Sequence, residues 1–244
     1  MHEVFTLDQQ PRLGGQIDAL SREAWPEFLL HGHARHWERL FDDFAPFQIL
    51  FREADDQVIA AGHTIPLPWD GTVEDLPATI DAILVRAVEA RQSGRACNTL
   101  CALAAMVRRP RRGAGLSVSL LREMRAVARR HGQTALLAPV RPTLKSRYPL
   151  APFERYVRWT RPDGLPFDPW IRVHWNLGAR PLAVALKAFS VTGTIAEWES
   201  WTAMRFPESG LYIVDGALQP VSMDLERNHG CYDDPNFWMR HPVE

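Results

Sequence analysis

The sequence predicts a mixed α/β fold, with a mostly antiparallel sheet that carries a central parallel pair and is flanked by helices. Three observations carry this expectation. Residues 99–107 are a nearly continuous apolar run, the length of a strand buried on both faces. A glycine turn, an amphipathic helix and a second apolar strand at 134–140 follow it, which together make a parallel crossover. Hairpin signals at Ala54-Asp55-Asp56-Gln57 and at Asp215-Gly216 supply antiparallel strands before and after that unit.

The elements follow in order. Residues 4–7 read as a short strand, and 15–44 as a helical pattern broken near Pro26 and Gly32. Phe47, Ile49 and Phe51 alternate with Gln48, Leu50 and Arg52, a strand period. The returning strand, 58–65, is stopped by Pro66 and Pro68. Residues 77–92 form a helix in which Ile80, Ile83, Leu84, Ala87 and Val88 make one stripe, with Pro77 near its start and Gly94 past its end. The helix after the glycine turn runs from about Leu116 to His131, with Leu116, Leu120, Met124 and Val127 on one face and Gly132 as its stop. Asp168 and Pro169 cap a short helix at 169–177. A strand at 183–191, a helix at 194–204 with the capping-box pair Thr194 and Glu197, and a hairpin from 211–214 to 218–223 complete the order. The polar, aromatic stretch from Asn228 onward has no readable period.

Composition narrows the function. Lys+Arg 28 against Asp+Glu 29 argues against nucleic acid as partner. No run of about 18 apolar residues offers a membrane span, and the first residues lack the pattern of a signal peptide. Three cysteines, an odd set in a mid-sized chain, predict no disulfide scaffold and a cytoplasmic setting, and no second ligand pair completes a metal site with Cys97 and Cys101. Of the nine tryptophans, Trp159, Trp170, Trp175, Trp198 and Trp201 fall in the second half. They build either an aromatic core or an aromatic-walled cleft.

The stretch that carries chemistry is Val107-Arg108-Arg109-Pro110-Arg111-Arg112-Gly113-Ala114-Gly115-Leu116-Ser117. It joins a buried strand to a helix start. The first turn of a helix leaves N–H groups unpaired and carries a partial positive charge. Glycines let backbone approach a ligand closely, and the arginines add formal charge. Together these make a cradle for a pyrophosphate. No Gly-Lys-Ser/Thr closes it as a Walker loop, and the glycine spacing is not that of a dinucleotide fingerprint.

These residues resemble motif A of the GNAT superfamily of acyl-CoA-dependent N-acyltransferases, in which Arg/Gln-x-x-Gly-x-Gly/Ala opens a long helix. Here the motif stands as Arg112-x-x-Gly115-x-Ser117, with Gly113 where the family commonly has its first glycine and Ser in place of the last small residue. The order of elements over about residues 1–225 is also that of a GNAT domain. The resemblance implies one domain over 1–244, with its central parallel pair splayed to admit the pantetheine arm as an extra strand. It implies acetyl-CoA or another acyl-CoA as donor. It places the cofactor on Met106, Val107, Arg111, Arg112, Gly113, Ala114, Gly115, Leu116 and Ser117. It makes residues 72–95 and 141–168 insertions that would wall an acceptor site, and residues from about 226 a C-terminal extension.

The implied reaction is transfer of an acyl group, acetyl expected, to an amine. The acceptor is a small molecule or a peptide terminus, and a homodimer is left open. The strand at 99–107 holds no Asp or Glu that would act as a base. Glu197 and Glu199 read as solvated helix charges. The family's last short helix carries Tyr, three residues, then Gly; here His174 stands at the Tyr position before Gly178. His174 is therefore the candidate proton donor to the leaving thiolate. Tyr148 is the second candidate, and Tyr156 a further rival. The missing strand carboxylate and the altered Tyr position favour one alternative, a CoA-binding sensor or scaffold of the same fold without catalysis; acyl transfer onto or from a carrier protein is a third reading.

Overall fold

The computed structural model describes residues 2–243. They form two compact units. The first comprises residues up to Ala24, Ala34–Ala138 and the last residues from Arg240; the second comprises Trp25–His33 and Pro139–Met239.

In the first unit the chain runs through β1 (Glu3–Thr6), α1 (Ile17–Ala24), β2 (Gln48–Arg52), β3 (Val58–Leu67), α2 (Ile80–Ser93), β4 (Thr99–Val107) and α3 (Leu116–Arg130), and β5 (Ala135–Val140) begins there. The strands lie in the order β1-β2-β3-β4-β5. β1 to β4 pair antiparallel. β4 and β5 pair parallel, as the crossover predicts, but only Thr99–Cys101 meets Ala135–Leu137. Past Cys101 the two strands part. α3 packs on β3 and β4, burying Leu120, Met124 and Val127. Gly62 on β3 permits that approach, because a Cβ there would lie 2.6 Å from Met124 Cε.

Several boundaries differ from the sequence reading: β3 runs through Pro66 to Leu67 rather than stopping at Pro66, and two helical regions shift further. α2 starts later than Pro77: Thr79 is its N-cap, its hydroxyl accepting from Ala82 N at 3.0 Å. The helical pattern of 15–44 yields only the eight residues of α1. Short 3-10 turns follow at Glu27–His31, Trp37–Leu40 and Ala45–Phe47. Prolines 26 and 46 interrupt the amide ladder there, so burial of Phe28, Leu40 and Phe44 comes without a helical period.

One buried polar pair lies within the first unit's sheet. Gln48 and His63 are both under 2% exposed. Burial pushes the His63 imidazole down from 6.5 to about 4. Between those two values the unfolded chain binds a proton that the native state refuses. Stability from this residue is therefore present above about pH 6.5 and is lost as pH falls from 6.5 toward 4. The expected loss is on the order of 3 kcal/mol. Urea midpoints measured across that window should fall in the wild type, and His63→Phe should flatten the slope; an equal slope in both would reject the assignment.

The second unit contains α4 (Phe153–Tyr156), α5 (Pro169–Asn176), β6 (Arg180–Gly193), α6 (Ile195–Thr202), β7 (Gly210–Tyr212), β8 (Val221–Asp224) and most of β9 (His229–Pro242). β7, β8 and β9 pair antiparallel in that order, and β6 also pairs with β9. The capping box of Thr194 and Glu197 opens α6 as the spacing predicts. Trp198 lies with Phe28, Val191, Phe206, Met223 and Tyr232 in the core of this unit, so this tryptophan is core and not cleft. The stretch left unreadable in the sequence is β9. Its polar Asp234 is buried because Arg141 Nε donates to both carboxylate oxygens, at 2.9 and 3.0 Å, and the Tyr232 hydroxyl donates to one of them. No helix among the described residues is long and apolar enough to cross a membrane.

Candidate functional site

The glycine turn forms as the sequence predicts and gathers all nine residues assigned to the cofactor. Met106 and Val107 end β4. Met106 is buried and accepts a hydrogen bond at Sδ from Ser21 Oγ, 3.4 Å away. Pro110 shapes one 3-10 turn over Arg109–Arg111. Residues 111–115 are exposed, Leu116 is buried as an anchor and Ser117 is half-buried. Gly115 is the N-cap of α3 with φ 78 and ψ 3, and Gly113 has φ 84. Both are left-handed, a region an L side chain reaches only with strain. Gly115 has no side chain with which to cap this helix. Its first amides therefore face the exposed turn with the helix dipole behind them. Among the described residues nothing lies within 4 Å of where a Cβ would stand on Gly113 or Gly115, so there is room for a ligand against the backbone.

The formal charge that the arginines bring to the turn is partly spent within the fold. Arg108 pairs with Glu23 at 2.5 Å, and Arg111 with Glu53 at 2.6 Å. The Arg112 guanidinium donates to the carbonyls of Val107 and Glu23 at 3.3 and 3.1 Å, and Arg109 Nε to the Glu23 carbonyl at 3.4 Å. The guanidinium groups therefore brace the turn, and two of the four are neutralised by carboxylates. The backbone amides are left as the main attraction for an anion.

Within the first unit, α2 borders a groove of about 600 Å³ lined by Arg35, Asp81, Arg86, Glu89 and Arg95 among others. Most of its charge is paired internally: Arg35 clasps Asp81 at 2.8 Å and Arg86 holds Asp75 at 3.0 Å.

His174 and Tyr148 belong to the second unit. His174 is 2% exposed on α5, edge-on to Trp170 with centroids 4.5 Å apart. Gly178, with φ 88, ends that helix as the spacing predicts. Tyr148 is 39% exposed, and its ring packs edge-to-face on Trp159 and Phe167 at 5.3 and 5.7 Å. The rival Tyr156 is buried, and its hydroxyl donates to Asp168 at 2.9 Å. Burial and that carboxylate push its pKa well up, so its proton is held in the structure.

Asp168 does more than the sequence reveals. Its N-cap role, accepting from Trp170 N and Ile171 N at 2.9 and 3.2 Å, is legible. The same carboxylate also accepts from Leu144 N at 2.8 Å, Thr143 N at 3.4 Å and Tyr156. It thus ties α5 to the 141–168 segment. Lys145 holds that segment from beneath: fully buried, it donates to the carbonyls of Tyr148 and Leu218, and burial lowers its pKa to about 8. Asp168→Ala leaves several buried donors without an acceptor and is expected to cost more than about 4 kcal/mol, with Asp168→Asn recovering part of it. A urea midpoint within error of wild type for Asp168→Ala would contradict this role.

No protein-family model matches the chain. Over 249 aligned residues it is 30% identical to the arginine N-acetyltransferase avaD of Aspergillus versicolor, covering 90% of this chain and 85% of the relative. Among solved structures it is similar to the loading GNATL domain of CurA from Lyngbya majuscula, with TM-score 0.66 and 14% identity over 100% of this chain and 98% of that one. It is also similar to the GphF GNAT-like decarboxylase in complex with isobutyryl-CoA, with TM-score 0.61 and 15% identity over the whole of both chains. At these identities the two structures speak for the fold.

Proposed function

Because the chain belongs to the GNAT superfamily of acyl-CoA-dependent N-acyltransferases, we propose that its acceptor is a small amine of the arginine class. The chain carries an acyl group from acyl-CoA to an amine. The amine nitrogen attacks the thioester carbon and forms the N–C bond, the C–S bond breaks, the nitrogen sheds a proton to water, and the CoA thiolate takes one up. The acceptor class rests on a single observation, the 30% identity over 90% of this chain with a relative that is an arginine N-acetyltransferase. Acetyl is the acyl group we assign on the same ground.

In this reading the amides of residues 111–117 hold the CoA pyrophosphate. The part of β4 that β5 leaves, through Met106 and Val107, receives the pantetheine arm as an added strand. The exposed glycine turn, the helix start at Gly115 and the early end of the β4–β5 pairing support this. His174 gives the proton to the thiolate, and Tyr148 is the second choice for that role. The α2 groove supports residues 72–95 as an acceptor wall, and the rigid aromatic packing of Tyr148 supports the same for residues 141–168. One acyltransferase domain over 1–244 is part of the proposal, supported by solved neighbours that align over the whole chain. A cytoplasmic setting without nucleic-acid or membrane partners rests on composition.

The test is CoA release measured with a thiol reagent, with acetyl-CoA and a panel of arginine, agmatine, arylalkylamines and peptide N-termini. Saturable release with arginine is expected. Turnover of another amine with arginine inert would overturn the acceptor class. A protein that binds acetyl-CoA and acylates no amine would overturn the activity.

A further inference from the structure

The first unit holds a buried imidazole that the reaction just described does not use. His63 on β3 lies opposite Ala104 of β4, and the next pair is Thr64 with Ala102, so Leu103 is the extra residue of a bulge. β5 leaves β4 after Cys101. His63 therefore stands level with the stretch of β4 that, on the functional reading above, receives the pantetheine arm carrying the thioester.

The protonation of this ring is dictated by its neighbour. Gln48 Nε2 donates to the carbonyls of Phe44 and Thr64, each at 2.9 Å. Both amide protons are thus engaged, and Oε1 faces His63 Nδ1 at 3.1 Å. An amide oxygen only accepts, so Nδ1 carries the proton. The neutral ring then has its lone pair on Nε2. That atom is buried and finds no hydrogen-bond partner among the described residues. A buried acceptor left unmet costs stability, and such groups persist where another role retains them.

The surroundings suit an amine. Trp37 and Phe41 stand perpendicular to the imidazole, with centroids 6.0 and 5.3 Å away. Both are half-buried. Trp37 follows His36, whose φ is 66, and begins a short 3-10 turn rather than a helix with a full hydrogen-bond ladder. Aromatic faces attract the polarised N–H groups of an amine, and a bare ring nitrogen accepts one of them.

We propose that His63 Nε2 accepts a hydrogen bond from the acceptor amine, between Trp37 and Phe41, and so orients its nitrogen for attack on the thioester. With its pKa near 4, the imidazole is too weak a base to strip a proton from an ammonium. Its part is to receive and orient the amine, and the proton leaves to water.

The test measures arginine binding to the full-length protein saturated with CoA, by calorimetry, beside steady-state kinetics. His63→Phe keeps a ring of similar volume between the same aromatic walls. Its arginine Kd and KM are expected to rise at least about tenfold, a loss of about 1.4 kcal/mol, with the CoA-induced thermal shift unchanged. Trp37→Leu should move the same two constants in the same direction. Should His63→Phe fail to fold, His63→Gln, which keeps an acceptor, is expected to bind more tightly than His63→Leu. Arginine affinity within twofold of wild type in a folded His63→Phe would overturn the proposal. So would a lowered melting temperature with unchanged affinity, the mark of a purely structural residue. Wild-type protein that binds arginine but does not acylate it would overturn the activity while leaving this site to be judged by the binding data. A wild type that binds no arginine would overturn both.

Discussion

Gly115→Val is expected to abolish the thermal stabilisation of the protein by CoA while leaving it folded. Gly115 has φ 78 at the N-cap of α3. A β-branched residue is strained there by on the order of 1–3 kcal/mol, a fraction of ordinary domain stability. The strain has no steric companion, because among the described residues nothing lies within 4 Å of the new Cβ. The chain can therefore fold, but only with the turn reshaped. Reshaping turns the first amides of α3 away from a common focus, and those amides are the main attraction for the pyrophosphate once Arg108 and Arg111 are paired with Glu23 and Glu53. At 100 times its dissociation constant CoA should stabilise the wild type by about 2.7 kcal/mol. For a chain of this size that is a shift of about 5–10 °C. Arg111→Ala should diminish the shift much less, since that guanidinium is already engaged by Glu53. An undiminished shift in folded Gly115→Val would remove the pyrophosphate from this turn.

The glycine turn that we propose as the pyrophosphate site was legible in sequence because its flanking elements follow local rules. β4, α3 and β5 each satisfy a local rule: an apolar run, a 3.6-residue stripe, glycines at both ends of the helix. Local rules fail where burial is settled by distant partners. Arg108 and Arg111 read as formal charge alone because Glu23 and Glu53 lie 85 and 58 residues away in the chain. β9 looked like a polar tail because the Asp234 carboxylate needs Arg141, 93 residues upstream, to be buried. Residues 25–44, within the stretch read as helical, carry frequent apolar side chains, yet Pro26 and a left-handed His36 break the ladder. Asp168 shows both cases in one residue. Its cap on α5 follows from its place before Pro169, while its bonds to Leu144 and Tyr156 depend on the fold.

His174→Phe is expected to fold, to bind CoA as the wild type does, and to lose about 10²–10⁴-fold in turnover. The fold should survive because the edge-to-face packing on Trp170 needs only an aromatic ring. α5 keeps its Asp168 cap and its Gly178 stop, and the His174 carbonyl still accepts from Leu177 N and Ala179 N. CoA binding should survive because the proposed pyrophosphate site lies on the turn between β4 and α3 and not on α5. What the substitution removes is the ring N–H that the proposal assigns as proton donor to the leaving thiolate, and general acid catalysis contributes about that factor. A thiolate that departs unprotonated can return to the tetrahedral centre, so the loss should appear in kcat and leave the acetyl-CoA KM nearly unchanged. His174→Tyr restores a proton donor at the same helix position and should recover part of the rate. Tyr148→Phe, which removes only a hydroxyl from a ring held by Trp159 and Phe167, separates the two candidates. A large loss there, with His174→Phe within about threefold of wild type, would transfer the role to Tyr148, since threefold is far below what an acid supplies.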